Sequence, residues 1–219
     1  MKRLGGECIE LGDTSISSVA KGESIADTAK MFESYCDAIV IRHDLEGVSR
    51  FLSDIVDVPI INAGDGAGQH PTQTLLDLYT IKKHFGKIDG LNIALLGDLK
   101  YGRTVHSLIH ALVRYTGIRF IFISPEELKI PGYIREDVLE AQNIPYREVE
   151  HIEDVMPKLD ILYMTRVQKE RFLDEDEFER LKDSFILNPE RMKLAKKDMI
   201  VLHPLPRVNE ITRDVDNDP

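Results

Sequence analysis

Short apolar runs alternate along this chain with stretches of helical periodicity, and that alternation restricts the fold more than any other feature. The runs fall at 38–42, 58–62, 91–97, 118–123, 160–165 and 199–202. Before and between them lie helix-periodic segments at 23–35, 46–56, from Pro71 onward, 102–115, 134–142 and 152–157, with acidic helical stretches between 174 and 196. Strand and helix in strict alternation read as parallel sheets covered by helices, with strands buried on both faces. The polar turn around Gly86 interrupts the series. We therefore expect an α/β protein of two domains, each a parallel β-sheet covered by helices: 1–85, including a linking helix from about 71, and 86–219. A further strand is expected at 8–11, before a Ser- and Thr-rich loop at 12–22.

The charged residues collect at the ends of these runs. Arg42 and His43 close the first, Arg103 lies six residues beyond Gly97, Arg166 follows Thr165, and Arg207 follows His203-Pro204-Leu205-Pro206. A single arginine after a strand is ordinarily a solvated loop residue. Four of them in a chain of formal net charge −10 point to a local positive pocket for a small, multiply anionic substrate, because guanidinium forks pair bidentately with carboxylate and phosphate. The stretch His70-Pro71-Thr72-Gln73 adds a histidine and a glutamine at a helix start, with proline in the first turn. In open α/β sheets, ligands collect at the carboxyl ends of strands, where helix N-termini favour anions.

Composition excludes several classes. An acidic chain has no basic surface with which to displace phosphate counterions, so nucleic acid is not the partner. No apolar run approaches the roughly 20 residues of a membrane span, and Met1-Lys2-Arg3 leads into no signal-peptide core. The two cysteines, Cys8 and Cys36, have neither metal nor disulfide-framework spacing, and Cys36 reads as a small core residue. A cytoplasmic enzyme of small molecules is the expectation.

One competing motif needs weighing. Gly97-Asp98-Leu99-Lys100-Tyr101-Gly102-Arg103-Thr104 follows a strand, opens a helix and differs from the phosphate loop of nucleotide triphosphatases by one residue, Arg103 in place of lysine. The loop lysine serves as a compact point charge on phosphate, whereas an arginine fork suits carboxylates. Nor does a strand ending in a magnesium-binding aspartate follow. A P-loop-like nucleotide binder is the weaker reading.

Four stretches together, His70-Pro71-Thr72-Gln73, the segment from Asp98 through Arg103 to Ser107, Met164-Thr165-Arg166-Val167-Gln168-Lys169-Glu170-Arg171, and His203-Pro204-Leu205-Pro206-Arg207, resemble the catalytic chains of the aspartate carbamoyltransferases, in order along the whole chain. Ornithine-type carbamoyltransferases typically carry a cysteine after the last histidine and lack the Lys-Tyr-Gly-Arg stretch, so Pro204 and Arg103 favour aspartate. The resemblance implies the carbamoyltransferase fold and transfer of a carbamoyl group from carbamoyl phosphate to L-aspartate, in pyrimidine synthesis. It implies that His70 and Arg42 stabilise the developing oxyanion and that Gln73 fixes the carbamoyl amide. Arg103, Arg166 and Gln168 would hold the two aspartate carboxylates. The carbonyls of Leu205 and Pro206, across a cis bond, would orient the amine, and the reaction so implied would need no metal or organic cofactor.

The same resemblance places Ser18 and Lys21 in the active site of a neighbouring subunit, with Ser17 as the alternative to Ser18, and so implies a homotrimer with shared sites. Some relatives bind a zinc-containing regulatory chain. The family also carries, ahead of the segment matching Met1, a helix and a phosphate-gripping loop, and, beyond Pro219, helices that pack back on the first domain. Met1 is then expected to be an internal methionine and the first domain incomplete. The alternative from another class is a non-catalytic binding or assembly remnant that keeps only the aspartate pocket.

Overall fold

The computed structural model describes residues 1–11, 18–166, 176, 179 and 185–218. They form two compact units, Met1–Gln69 and His70–Pro219.

In the first unit, β1 (Ile39–His43) and β2 (Ile60–Asp65) pair in parallel. Helix α1 (Ile25–Glu33) begins at Ser24, whose hydroxyl accepts the Asp27 N–H at 3.1 Å, an N-cap that satisfies one otherwise open donor. Helix α2 (Val48–Ser53) follows Gly47. Ala29, Val48, Leu52 and Val56 form the core, with Ile41 and Ile60 packed against it. The expectation of strands buried on both faces does not hold here. Val40 and Ile61, partners in the ladder, are 59% and 41% exposed, because the helices of this unit cover one face of a two-stranded sheet. The strand expected at 8–11 is not formed either: Cys8 and Ile9 are exposed, and among the described residues no neighbouring strand offers its hydrogen bonds. Cys36 is half-buried rather than a core residue.

The second unit opens with α3 (Pro71–Phe85) and continues through β3 (Asn92–Leu96), α4 (Arg103–Leu112), β4 (Arg119–Ile123), β5 (Tyr146–Val149), β6 (Ile161–Met164) and β7 (Ile200–Leu202). All strand pairs are parallel, in the spatial order β5-β4-β3-β6-β7. Here both faces are covered. Ile93, Leu95, Phe120 and Tyr163 pack with Ile81 of α3 and Leu108 of α4 on one side, while Ala94, Leu96, Leu162 and Met164 meet Ile152, Met156 and Leu187 on the other. Alternate residues of each strand thus enter opposite cores, as the pleat requires.

Strand β5 is absent from the sequence reading. Its Tyr146-Arg147-Glu148-Val149 is a half-exposed edge strand, and such a strand lacks an apolar run. The helix expected at 134–142 is an irregular succession: an α turn Gly132–Ile134, a π-helix Arg135–Leu139 and a 3-10 turn Glu140–Gln142, ended by Asn143 with φ 54°. The segment near 152–157 forms two 3-10 turns, Ile152–Asp154 and Met156–Lys158.

Candidate functional site

The order of the second sheet brings together residues that are distant in sequence. The connections after β3 and β4 run outward to β4 and β5, whereas β6 and β7 lie on the other side of β3, so the direction of winding reverses between β3 and β6. A crevice outside the carboxyl ends of strands at such a reversal is the general ligand position in this architecture. Arg103 is the first residue of α4 after β3, Arg166 lies two residues beyond the end of β6, and Leu205 and Pro206 follow β7. Three neighbouring strands therefore present the expected aspartate-binding residues at one edge of the sheet.

The approach of β3 to β6 depends on Gly97, whose φ is +114° and whose missing Cβ would lie 2.3 Å from the Thr165 carbonyl oxygen. Thr165 Oγ1 accepts the Asp98 N–H at 3.0 Å, and Asp98 Oδ1 accepts the Tyr101 N–H at 2.9 Å. His106, 4% exposed, donates from Nε2 to the Leu99 carbonyl at 2.8 Å and accepts from the Tyr133 hydroxyl on Nδ1 at 3.1 Å. Burial lowers its pKa, which keeps this clamp neutral. The loop leading to Arg103 is thus set by its own hydrogen bonds, a reason besides chemistry for the spacing in that motif.

The loop after β7 has a comparable support. His203 Nδ1 accepts the Leu205 N–H at 2.8 Å, and its Nε2 donates to Glu210 Oε1 at 2.8 Å. Glu210 Oε2 accepts the N–H groups of Val208 and Asn209 at 3.1 and 3.0 Å. Leu205 has φ +50°, and the Leu205–Pro206 bond is cis. Arg207 differs from the sequence expectation of a pocket cation. Its fork grips Asp216, with Nη1 2.6 Å from Oδ1, so its charge is spent within the chain.

His70 is the N-cap of α3. Its backbone N–H donates to the buried Ser107 Oγ at 3.0 Å, and its Nδ1 accepts the Gln73 N–H at 3.4 Å. An imidazole that accepts on Nδ1 carries its proton on Nε2, so the ring is oriented as a hydrogen-bond donor. Gln73, one turn on, donates from Nε2 to Asp77 Oδ1 at 2.9 Å. Asp77 Oδ2 in turn accepts the hydroxyl of Tyr163 at 3.1 Å. Asp77 and Tyr163 were not among the expected site residues. Their signal in the sequence is only that Asp77 stands four residues after Gln73, on the same helix face.

In the first unit, Arg42 is exposed near the end of β1. Asp65, 6% exposed, accepts from Gly47 N–H at 2.8 Å, Gln69 N–H at 2.8 Å and Asn62 Nδ2 at 3.0 Å, tying the start of α2 to the turn after β2. Gly66 (φ +45°) lies where a Cβ would meet the Asp44 carbonyl at 2.5 Å. Lys21 is exposed at the end of the 3-10 helix Ser18–Lys21, which also contains the Ser18 backbone. Gln168 and Ser17 lie outside the described residues.

A cavity of about 510 Å³ at the ends of β4 and β5 is lined by none of the expected residues. Its cations are matched by its own carboxylates: Lys129 lies 2.6 Å from Glu126, and Arg191 Nε 2.8 Å from Glu153. Among the described residues no three His, Cys, Asp or Glu side chains are grouped to hold a metal ion, and no helix is long and apolar enough to cross a membrane.

Comparison with known proteins places these observations in one family. Residues 1–83 match the carbamoyl-P binding domain of the aspartate/ornithine carbamoyltransferases, and residues 89–219 match their Asp/Orn binding domain. The aspartate carbamoyltransferase catalytic subunit of Methanobrevibacter smithii is 62% identical over 217 residues, which span 99% of this chain and 68% of that protein. The catalytic subunit of M. jannaschii aspartate transcarbamoylase superposes with a TM-score of 0.91 at 53% identity, covering 100% of this chain and 71% of the other. The Trypanosoma cruzi aspartate transcarbamoylase in complex with carbamoyl phosphate and aspartate gives 0.91 at 40% identity, covering 100% and 69%. The chain belongs to the aspartate/ornithine carbamoyltransferase family, within its aspartate carbamoyltransferase catalytic subunits.

Proposed function

We propose that this protein transfers the carbamoyl group of carbamoyl phosphate to L-aspartate, giving N-carbamoyl-L-aspartate and phosphate, an early step of pyrimidine synthesis. The observation that carries the reading is the convergence of Arg103, Arg166 and the Leu205-Pro206 turn on the carboxyl ends of three adjacent strands. Two cations and two carbonyl acceptors suit a ligand with two carboxylates and one amine.

In the reaction, the neutral amine of aspartate attacks the carbamoyl carbon. A C–N bond forms and the carbonyl oxygen becomes anionic; the carbonyl then re-forms as the C–O bond to phosphate breaks, and the proton lost by the amine passes to the departing phosphate. His70, protonated on Nε2, donates to that oxygen, and Arg42 adds positive charge beside it; preorganised donors of this kind stabilise charge that develops in the transition state. Gln73 contacts the carbamoyl amide. Arg103, Arg166 and Gln168 take the carboxylates, and the carbonyls of Leu205 and Pro206 accept from the amine. Positioning and charge complementarity supply the catalysis without a cofactor.

The functional division falls near residue 86, a reading supported by the limits of the two family models. Ser18 and Lys21 serve the site of a neighbouring protomer in a homotrimer; the exposure of Lys21 supports this. Relatives named as catalytic subunits are in keeping with association with a zinc-containing regulatory chain. The enzyme works in the cytoplasm, a setting consistent with its free thiols.

The test is formation of the ureido product from carbamoyl phosphate with L-aspartate or L-ornithine as acceptor. Product with aspartate alone is expected. Preference for ornithine would refute the assignment of Arg103 and Arg166, and binding of aspartate with no turnover would mark a binding-only protein.

A further inference from the structure

The second unit holds a buried carboxyl for which the reaction above has no use. Asp77 is 4% exposed, and its oxygens are met by neutral groups, Gln73 Nε2 on Oδ1 at 2.9 Å and the Tyr163 hydroxyl on Oδ2 at 3.1 Å. Tyr163 is fully buried on β6. Burial pushes the Asp77 carboxyl up to about 6 against the pull of these hydrogen bonds, which leaves it mostly ionised at neutral pH. Confining a carboxylate without a cation is costly, so a packing role alone would be served as well by an apolar residue.

What a carboxylate supplies here is polarity of one sign. The two ends of a glutamine amide are nearly equal in shape, and they differ in that one donates and the other accepts. An ionised carboxylate only accepts. Asp77 therefore draws the Gln73 nitrogen inward; the opposite rotation would set Gln73 Oε1 against Asp77 Oδ1, two acceptors at hydrogen-bond distance. The carbonyl oxygen of Gln73 is then the end presented away from Asp77.

We propose that Asp77 is a positioning residue that fixes the Gln73 amide with its carbonyl oxygen toward the ligand, so that the site selects the hydrogen-bond-donating carbamoyl NH2 over an isosteric acetyl methyl. The proposal rests on the assignment of Gln73 to the carbamoyl amide. Carbamoyl phosphate and acetyl phosphate differ at this point only by NH2 against CH3. A fixed acceptor left unpaired by the methyl discriminates far more strongly than shape does. The Tyr163 hydroxyl donates to the other carboxylate oxygen, so position 77 accepts from both neighbours.

Asp77→Asn tests this with almost no change of volume. The asparagine oxygen accepts the Tyr163 hydroxyl as Asp77 Oδ2 does, its NH2 faces Gln73, and the Gln73 amide reverses. Dissociation constants for carbamoyl phosphate and acetyl phosphate, measured by titration calorimetry on the full chain, should diverge in the wild type. In Asp77→Asn the carbamoyl phosphate affinity should fall by about tenfold or more while the acetyl phosphate affinity stays within about threefold, so the ratio collapses. Tyr163→Phe removes the other hydrogen bond to Asp77 without reversing Gln73, and should keep the ratio even where it lowers the melting temperature. A ratio lost in Gln73→Leu but kept in Asp77→Asn would overturn the proposal and leave the Gln73 assignment standing. An equal loss for both ligands in Asp77→Asn and Tyr163→Phe would also overturn it, as a purely structural effect. A wild type that does not distinguish the two phosphates would remove the Gln73 assignment and the proposal with it.

Discussion

Glu210 holds His203 through a 2.8 Å hydrogen bond from Nε2, while its second oxygen gathers the Val208 and Asn209 N–H groups, so one buried carboxylate organises the whole turn after β7. Burial opposes the charge, and the hydrogen bonds from His203 and the backbone outweigh it, holding the carboxyl below its ordinary value of 4.5. A depressed carboxyl contributes stability that is present above its unfolded pKa and is lost as pH falls through its folded one. Glu210→Gln turns an NH2 toward groups that can only donate. We expect it to cost about 1–3 kcal/mol at neutral pH and less below pH 4, and to raise the KM for aspartate through displacement of the Leu205 and Pro206 carbonyls. Urea unfolding at the two pH values, with aspartate saturation curves, checks both parts.

His70→Ala should lower turnover by on the order of a hundredfold or more, with a smaller change in KM, because a donor to a developing oxyanion acts mainly in the transition state. His70 also caps α3. His70→Asn keeps a capping side chain and separates the roles: restored melting temperature with turnover still low is the expected outcome. Unchanged turnover in both variants would make His70 a helix cap and nothing more.

Arg103→Ala and Arg166→Ala should each weaken aspartate binding by about 2–5 kcal/mol, the range for truncating one partner of a desolvated charged pair. Arg207→Ala should have little effect on aspartate affinity, since its fork already holds Asp216. Equal effects at all three positions would show that net positive charge, rather than the geometry of adjacent strands, attracts the substrate.

Asp77 titrates in the opposite sense to Glu210. With its folded pKa raised from 3.8 to about 6 by burial, the native state binds a proton more tightly than the unfolded chain. Its contribution to stability is therefore fully present below about pH 3.8 and declines as pH rises through 6. Relative to Asp77→Asn, the wild type should lose up to about 3 kcal/mol between pH 4 and pH 7.5. Parallel denaturant curves that stay a constant distance apart over that interval would show that Asp77 is not desolvated in solution.

Lys21 is exposed on a short 3-10 turn, and its ammonium could reach an anionic ligand of a neighbouring protomer. Lys21→Ala and His70→Ala should each be nearly inactive alone, and mixing them under subunit exchange should return part of the activity, because some interfaces then hold both intact residues. Proven exchange with no recovery would remove the shared site.

The repeat of apolar runs and helical segments was enough to establish parallel sheets, since strand burial and helix amphipathicity are written in local periodicity. The same holds for α3, whose start at Pro71 and end at Gly86 follow from a proline suited to the first turn and a glycine at φ +73°. Arg103 and Arg166 were legible as strand-end cations. Tertiary structure alone decided that their strands β3 and β6 are neighbours, because strand order depends on pairing between segments some 70 residues apart and not on any local pattern. It also decided which charges are available: Arg207 carries the same sequence signal as the other two, but Asp216 occupies it. Edge strand β5 and the one-sided sheet of the first unit escaped the pattern because partial exposure relaxes the demand for apolar side chains. Asp77 escaped for the reverse reason. A charged residue on a helix ordinarily reads as solvent-facing, and only the packing of α3 against Tyr163 of β6 turns it inward, where its carboxylate can set the orientation of Gln73.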